Sequence, residues 1–326
     1  MREPVERPPA NGNGNASPSS SLERLMTPLM PILLIASGCY HAVLQERLMK
    51  DLKGVPLIIT SFEFGCCSGM SLLYLLCTRS DPTNVPVGSL LCISLLVLGS
   101  LVSGNVALAW VSYPVKVVVK SCKLLPTMAL GGLLLRKRYS RYDQLAAVLL
   151  CAGLVGFTLA DAAGKSGRAS SPLGVGVLLF AVSCDAVQVL LSERMLKGWA
   201  HLTPMHVMLY TNGFAFLAVL GGIWITGELE VVPPSLPWLD LIVYGATSFF
   251  GVTCFMGLTR LWGATAAVVA TNARKILTVV LSFIIFPKPL GVSHVLSGFA
   301  IIGGVALHSY SRRAGKESQL KEAKAT

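Results

Sequence analysis

Five basic residues stand inside long hydrophobic runs: Lys116, Lys120 and Lys123 in one run, Arg274 and Lys275 in another. If these runs lie in a bilayer, each charge facing lipid costs about 2.5–3.5 kcal/mol, and all five together about 12–18 kcal/mol. They must therefore face water, partner groups or an anion. Lysine meets a phosphate or sulfate as a point charge and arginine as a two-pronged donor, so an anionic ligand suits the set. Lys116, Lys120 and Lys123 fall at i, i+4 and i+7 with Thr127 at i+11, which gives one helix face. Thr271, Lys275, Thr278 and Ser282 make a matching polar stripe flanked by Arg274. At a rise of about 1.5 Å per residue, Lys123 lies about 15 Å past Tyr113, and Lys275 a similar depth past Ala264. Both reach the midplane, whereas Lys116 sits near enough to a helix end to snorkel. The candidate ligand-binding residues are Lys116, Lys120, Lys123, Thr127, Thr271, Arg274, Lys275 and Thr278. Of the few acids within helices, Glu63 and Asp185 read either as counter-charges or as site groups, and Glu46 and Glu193 as helix caps.

The elements that must position these groups follow from composition. The chain has 326 residues, of which 53% are hydrophobic and only 13% charged. That balance belongs to a polytopic membrane protein. Apolar runs of spanning length give ten helices, near 26–46, 55–78, 87–110, 113–135, 143–161, 172–192, 205–226, 237–259, 263–286 and 291–310. The separators are short and rich in turn residues, such as Ser80-Asp81-Pro82-Thr83-Asn84. The expected fold is all-α and integral to the membrane, one domain over 25–311. Residues 1–24 read as a disordered tail without a signal-peptide pattern, and 312–326 as a polar, mostly basic tail.

Two heptads 147 positions apart nearly coincide: Leu44-Gln45-Glu46-Arg47-Leu48-Met49-Lys50 and Leu191-Ser192-Glu193-Arg194-Met195-Leu196-Lys197. They point to a duplicated unit, repeat one about 25–161 and repeat two about 172–310. Five helices per unit is odd, so the second copy enters the membrane from the opposite side and the repeats are inverted, an arrangement that recurs in secondary transporters. Both tails on the cytosolic side place sixteen basic residues there against six opposite, the other five of the 27 lying within helices.

Other chemistry finds little support. The nine cysteines lie in apolar segments without paired metal spacing, and the five histidines lack acidic partners at ligand spacing, so neither metal nor cofactor is expected. His41 reads as isolated. No phosphate-binding loop for ATP hydrolysis is present, which leaves secondary transport. The net charge of +11 reflects topology and the intramembrane cluster and implies no nucleic-acid surface. Paired small residues, among them Gly153 with Gly156 and Gly303-Gly304, allow close helix packing.

Tyr113-Pro114, Lys120-Ser121-Cys122-Lys123 with Pro126, and Arg136-Lys137-Arg138-Tyr139 resemble the fourth-helix signature of the solute carrier 35 nucleotide-sugar transporters, subfamily B. Arg274-Lys275 with Thr278 and Phe286-Pro287-Lys288-Pro289 resembles its ninth-helix signature. Phe157-Thr158-Leu159-Ala160-Asp161, Cys184-Asp185-Ala186-Val187 and the Glu193 to Lys197 stretch look most like the branch that carries 3′-phosphoadenosine 5′-phosphosulfate (PAPS). The likeness runs from about residue 30 to 312; Lys116 and Thr127 depart from it, standing where the branch usually has neutral and apolar residues. The resemblance implies a fold of the drug/metabolite transporter type and an antiporter bringing PAPS into the Golgi lumen in exchange for a nucleotide monophosphate. A UDP-sugar carrier of the ER or Golgi is the alternative. The implied partners are an anionic nucleotide conjugate and the lipid bilayer, with homo-oligomerisation open. The C-terminal Lys321-Glu322-Ala323-Lys324 lacks the adjacent lysines of an ER-retrieval tail and so favours the Golgi.

Overall fold

The computed structural model describes residues 18–52, 55–81, 85–107, 110–111, 115–116, 119–120, 122–162, 171–199, 201–232, 236–272 and 292–325. Among these, every regular element is a helix: α1 (Pro18–Asp51), α2 (Pro56–Cys77), α3 (Val87–Val106), α4 (Leu124–Leu134), α5 (Arg141–Ala162), α6 (Pro172–Gly198), α7 (Pro204–Thr226), α8 (Trp238–Trp262) and α9 (Val292–Ala325). A 3₁₀ turn, Glu228–Val231, follows α7, and residues 264–272 are helical after a break at Gly263. Five helices, α2, α3, α6, α7 and α8, are long and apolar enough to cross a membrane; shorter apolar stretches run over Leu29–Gln45, Leu124–Leu134 and Val295–Ser311.

Large apolar side chains cover much of the outside, and several hydroxyls lie buried among the apolar core. Leu133, Trp224, Ile225, Leu239 and Phe299 are exposed on the outside, while Ser71, Ser94, Thr127, Ser192 and Thr259 are buried. Several inner hydroxyls bond to carbonyls of their own helix, as in Ser71 to Cys67 (2.6 Å) and Thr259 to Phe255 (2.8 Å). In lipid no water stands ready to take their place.

Proline opens α2, α6 and α7, where a missing N–H is harmless and the ring presets φ. Left-handed residues close α2 and α7, namely Arg79 at φ 52° and Gly227 at φ 68°. Immediately after Gly227, Glu228 turns back so that its carboxylate accepts the Leu57 and Ile58 amides at 3.0 and 3.2 Å, capping α2.

The run expected as one helix over 113–135 is interrupted. Cys122 and Lys123 form a turn and α4 begins at Leu124. Pro126 supplies the reason: it has no N–H to give the Cys122 carbonyl, and its ring crowds that carbonyl. Leu125 donates to Cys122 at 3.1 Å instead, in a tighter turn. The terminal segments also differ from expectation, because α1 starts at Pro18, inside the expected tail, and α9 continues to Ala325. The Glu-, Lys- and Ala-rich sequence beyond Gly315 favours helix once α9 is nucleated.

The helices pair as α2 with α7, α5 with α9, α1 with α8, and α3 with α6, while α2 also meets α8 and α3 meets α7. The α5–α9 contact rests on glycine. A Cβ at Gly153 would stand 2.8 Å from the Ser297 carbonyl oxygen, and one at Gly304 would stand 3.0 Å from that of Ala146. Only hydrogen in place of a side chain lets these backbones approach so closely. One apolar core, including Leu48, Ile59, Leu241 and Tyr244, joins α1, α2, α7 and α8. Another, including Leu124, Leu150, Leu190, Val268 and Ile301, joins α4, α5, α6, α9 and the 264–272 stretch.

Candidate functional site

Where α1, α2 and α8 meet the start of α4 and the 264–272 helix, they enclose a cavity of about 230 Å³ whose wall includes His41, Glu63, Lys123, Ser248, Phe255 and Thr271. Glu63 is held by two hydroxyls from α8: Tyr244 donates to Oε2 and Ser248 to Oε1, both at 2.9 Å. His41 lies against the same carboxylate, Nε2 to Oε1 at 3.6 Å, and stacks on the Tyr244 ring with centroids 4.3 Å apart and planes 15° apart. Its other nitrogen, Nδ1, faces the Tyr244 carbonyl at 3.3 Å. Across the cavity the Lys123 ammonium sits 5.8 Å from the Phe255 ring centroid, a cation–π arrangement. A larger groove of about 580 Å³ between α2 and α7 is lined by Ser61, Phe62, Gly65, Cys66 and Phe216 among others, with no charged group in its lining. Of these two, the smaller cavity is the one that carries ionic groups.

Lys116 and Lys120 project elsewhere, because the turn at Cys122 and Lys123 removes the common face that continuous helical spacing implies. Lys116 donates to Asn105 Oδ1 at 2.9 Å. Lys120 reaches Ser100 at 3.5 Å and pairs with Asp185 at 3.8 Å, a contact across α3 and α6. The Lys120 stem crosses Gly104, where a Cβ would stand 3.0 Å away. Thr127 is fully buried and donates to the Lys123 carbonyl at 2.7 Å, and Thr271 donates to that of Val268 at 2.8 Å. Of the candidate residues and counter-charges, then, Lys123, Thr271 and Glu63 share the cavity wall, and Lys116, Lys120 and Asp185 form a neighbouring group. Arg274, Lys275 and Thr278 lie outside the described residues.

The second heptad organises a third ionic group. Glu193 is almost wholly buried; Lys137 donates to both its oxygens at 2.5 Å, Lys197 to Oε1 at 2.8 Å, and the Ala264 amide to Oε2 at 2.7 Å. Glu193 is a helix cap, though of the 264–272 helix and not of its own. Gly263, at φ 89°, keeps the carboxylate close, since a Cβ there would stand 3.0 Å from Oε1. In the adjoining loop Tyr139 bonds to Thr265 at 3.2 Å, and burial raises its phenol above the ordinary range, with Glu193 and Asp143 adding to the effect.

Sequence reasoning did not connect His41, Tyr244 and Ser248 with Glu63. His41 and Glu63 are 22 residues apart on different helices and Tyr244 a further 181, so no local pattern connects them. The one available signal was a lone acid, Glu63, in an apolar run that needed hydrogen-bond donors from somewhere. Among the described residues no group of three His, Cys, Asp or Glu could hold a metal ion.

A chain whose described elements are all helical, with an apolar exterior, membrane-length helices and a cavity carrying Glu63, His41 and Lys123, is a membrane protein built around an internal polar site. The sequence pattern of the UAA transporter family matches residues 27–312, and the chain belongs to that family. It is 31% identical over 302 residues to the mouse (Mus musculus) adenosine 3′-phospho 5′-phosphosulfate transporter 2, covering 88% of this chain and 81% of the mouse protein. The human (Homo sapiens) protein of the same name is 30% identical over 285 residues, 85% of this chain and 70% of its own length. That of Caenorhabditis briggsae is 26% identical over 281 residues, with 83% and 76% covered. These relatives bear out the resemblance carried by the Lys120 to Pro126 and Cys184 to Lys197 motifs. A solved crystal structure with TM-score 0.65 and 18% identity covers 90% of this chain and 99% of its own, and shows the fold alone.

Proposed function

We propose that the protein is a secondary antiporter carrying PAPS from the cytosol into the Golgi lumen in exchange for a nucleotide monophosphate. The observation that carries the reading is identity of 30% or more to mammalian transporters named for that substrate, over more than four fifths of this chain. The intramembrane cations give the chemistry a place. Lys123 in the cavity wall, the neighbouring group of Lys116 and Lys120, and the Arg274, Lys275 and Thr278 expected from the sequence suit a ligand bearing phosphate and sulfate. Glu63 and Asp185 act as counter-charges that limit the repulsion among these cations when the site is empty.

The carrier has ten spans in two inverted five-helix repeats with both termini cytosolic, and the helix pairing supports this. Exchanging each helix of the first five with its counterpart in the second turns the α1–α8 contact into α6–α3 and the α2–α8 contact into α7–α3, while α2–α7 and α5–α9 map onto themselves; all six contacts occur. A pseudo-two-fold axis in the membrane plane has this consequence. The test is uptake by proteoliposomes preloaded with adenosine 3′,5′-bisphosphate (PAP), AMP or UMP and offered labelled PAPS or UDP-sugars. PAPS exchanging against an adenine nucleotide supports the proposal. Exchange confined to UDP-sugars and UMP moves the protein to the UDP-sugar reading.

A further inference from the structure

The two heptads place an arginine at the same position, Arg47 near the end of α1 and Arg194 near the end of α6. The residue after each heptad closes its helix, Asp51 in α1 and Gly198 in α6. The helices packed against these two, α8 and α3, also correspond. Both start behind a proline, Pro237 and Pro86, and the first amide of each, Trp238 and Val87, donates to the carbonyl two residues back at 2.9 Å. Counted from the proline, Asp240 of α8 answers to Ser89 of α3. Arg47 meets both of its acids, Asp51 at 3.8 Å and Asp240 at 3.6 Å, and so ties α1 to α8. Around Arg194 a glycine and a serine stand in the places of those acids. Among the described residues Arg194 has no ion pair, and its neighbour Glu193 is engaged by Lys137, Lys197 and the Ala264 amide. The space left is a cavity of about 460 Å³ whose wall includes Ser89, Cys92, Arg194, Gly198 and Trp199. The first turn of α3 carries no acid, whereas that of α8 carries Asp240, so the positive end of the α3 dipole adds to the guanidinium charge.

We propose that this cavity binds the headgroup phosphate of an anionic phospholipid, which joins α6 to α3 as Asp240 joins α8 to α1. The guanidinium offers two parallel donors to phosphate oxygens, and the Ser89 hydroxyl offers a further one. The position of the cavity selects a lipid over a free anion. It lies at the last turn of one membrane-length helix and the first turn of another, which is headgroup depth. Trp199 at its rim is exposed, as an indole of the interfacial belt is, and Leu91 and Leu95, exposed along α3 beyond Ser89, offer acyl chains an apolar wall. The inverted-repeat topology proposed above, on which this assignment rests, puts the end of α6 on the cytosolic side, where the leaflet carries anionic lipids. Arg47, at the opposite side, has carboxylates of its own and leaves no such vacancy for a phosphate.

The experiment is native mass spectrometry of the purified, detergent-solubilised full chain titrated with phosphatidylserine or phosphatidylcholine, with inorganic phosphate as competitor. The first phosphatidylserine is expected to bind at least about tenfold tighter than phosphatidylcholine, the scale of one charge-assisted pair. Arg194→Gln removes the cation, and Ser89→Asp restores the carboxylate that Arg47 has in Asp240; each brings the ratio under about twofold. Ser89→Asp also covers the case in which Arg194→Gln does not fold. Arg47→Gln leaves the preference in place. No preference in the wild type, a preference that survives in both Arg194→Gln and Ser89→Asp, or its loss in Arg47→Gln overturns the site. Displacement of phosphatidylserine by inorganic phosphate at equal concentration overturns the lipid assignment in favour of a free anion. The carrier reading is tested separately, by PAPS exchange in liposomes of phosphatidylcholine alone, so the failure of either is told apart from that of the other.

Discussion

Replacing Glu193 by Gln keeps the shape of the side chain and removes its charge, so it isolates what the buried carboxylate does. In the wild type that group accepts Lys137 on both oxygens at 2.5 Å, Lys197 at 2.8 Å and the Ala264 amide at 2.7 Å. Lys197 is about half exposed, 47% by side chain, so water screens its contribution to well under about 1 kcal/mol. Lys137 is 27% exposed and grips an acid only 2% exposed; a charged hydrogen bond in such a setting contributes about 1.5–3 kcal/mol. The amide oxygen of glutamine retains part of the cap on Ala264, worth about 1 kcal/mol in full. The total loss is about 2–4 kcal/mol, and at about 2 °C per kcal/mol for a large domain the unfolding midpoint falls by about 4–8 °C. Thermal unfolding of the solubilised protein, followed by a thiol-reactive dye that reports exposure of the buried Cys151, Cys184 and Cys254, reads the shift directly. Lys137→Ala in the Glu193→Gln background costs less than about 0.5 kcal/mol more, because its partner charge has gone. A midpoint within about 1 °C of wild type, or additive losses in the double variant, refutes the assignment of Glu193 as the charged keystone joining α6, the α4–α5 loop and the 264–272 helix.

Three further outcomes are expected. Lys123→Ala abolishes PAPS exchange yet inserts normally, because taking a charge out of the membrane interior does not hinder insertion; near-normal uptake at low substrate concentration with this variant would remove Lys123 from the site. Gly304→Val drives a branched side chain into the Leu150 side chain and the Ala146 carbonyl, and the monodisperse yield in gel filtration falls several-fold, whereas Gly303→Val, which has open space, leaves it unchanged. Asn15 stands in a formal glycosylation sequon, and the proposed topology, with the N-terminus cytosolic, keeps it unmodified; a glycosidase-sensitive mass shift dependent on Asn15 would reverse the orientation.

What the sequence disclosed and what it hid divide along range. The membrane character, the positions of α2, α3, α6, α7 and α8, and the family were open to inspection, because long apolar runs, proline at helix starts and the Lys120 to Pro126 motif are all local patterns. Pro126 was visible too, but its effect was not: breaking the segment at Cys122 separates Lys123 from Lys120, and continuous 3.6-residue spacing had put them together. The repeated heptad pointed to a duplicated unit but did not reveal the work of its second glutamate, since the Ala264 amide that Glu193 caps is 71 positions farther on. His41 looked isolated for the same reason. Its partners come from α2 and α8, and only packing brings a carboxylate, a tyrosine ring and a carbonyl around one imidazole.

The central claim is that a cavity whose wall carries Lys123 closes readily only around an anion, so that substrate-bound protein reorients and empty protein does not. Uptake of labelled PAPS into proteoliposomes preloaded with PAP, compared with uptake into empty ones of equal tightness, tests it most directly. The expected ratio is at least about tenfold, a barrier difference of about 1.4 kcal/mol or more. Equal rates into loaded and empty vesicles would make the protein a uniporter and contradict this account of Lys123.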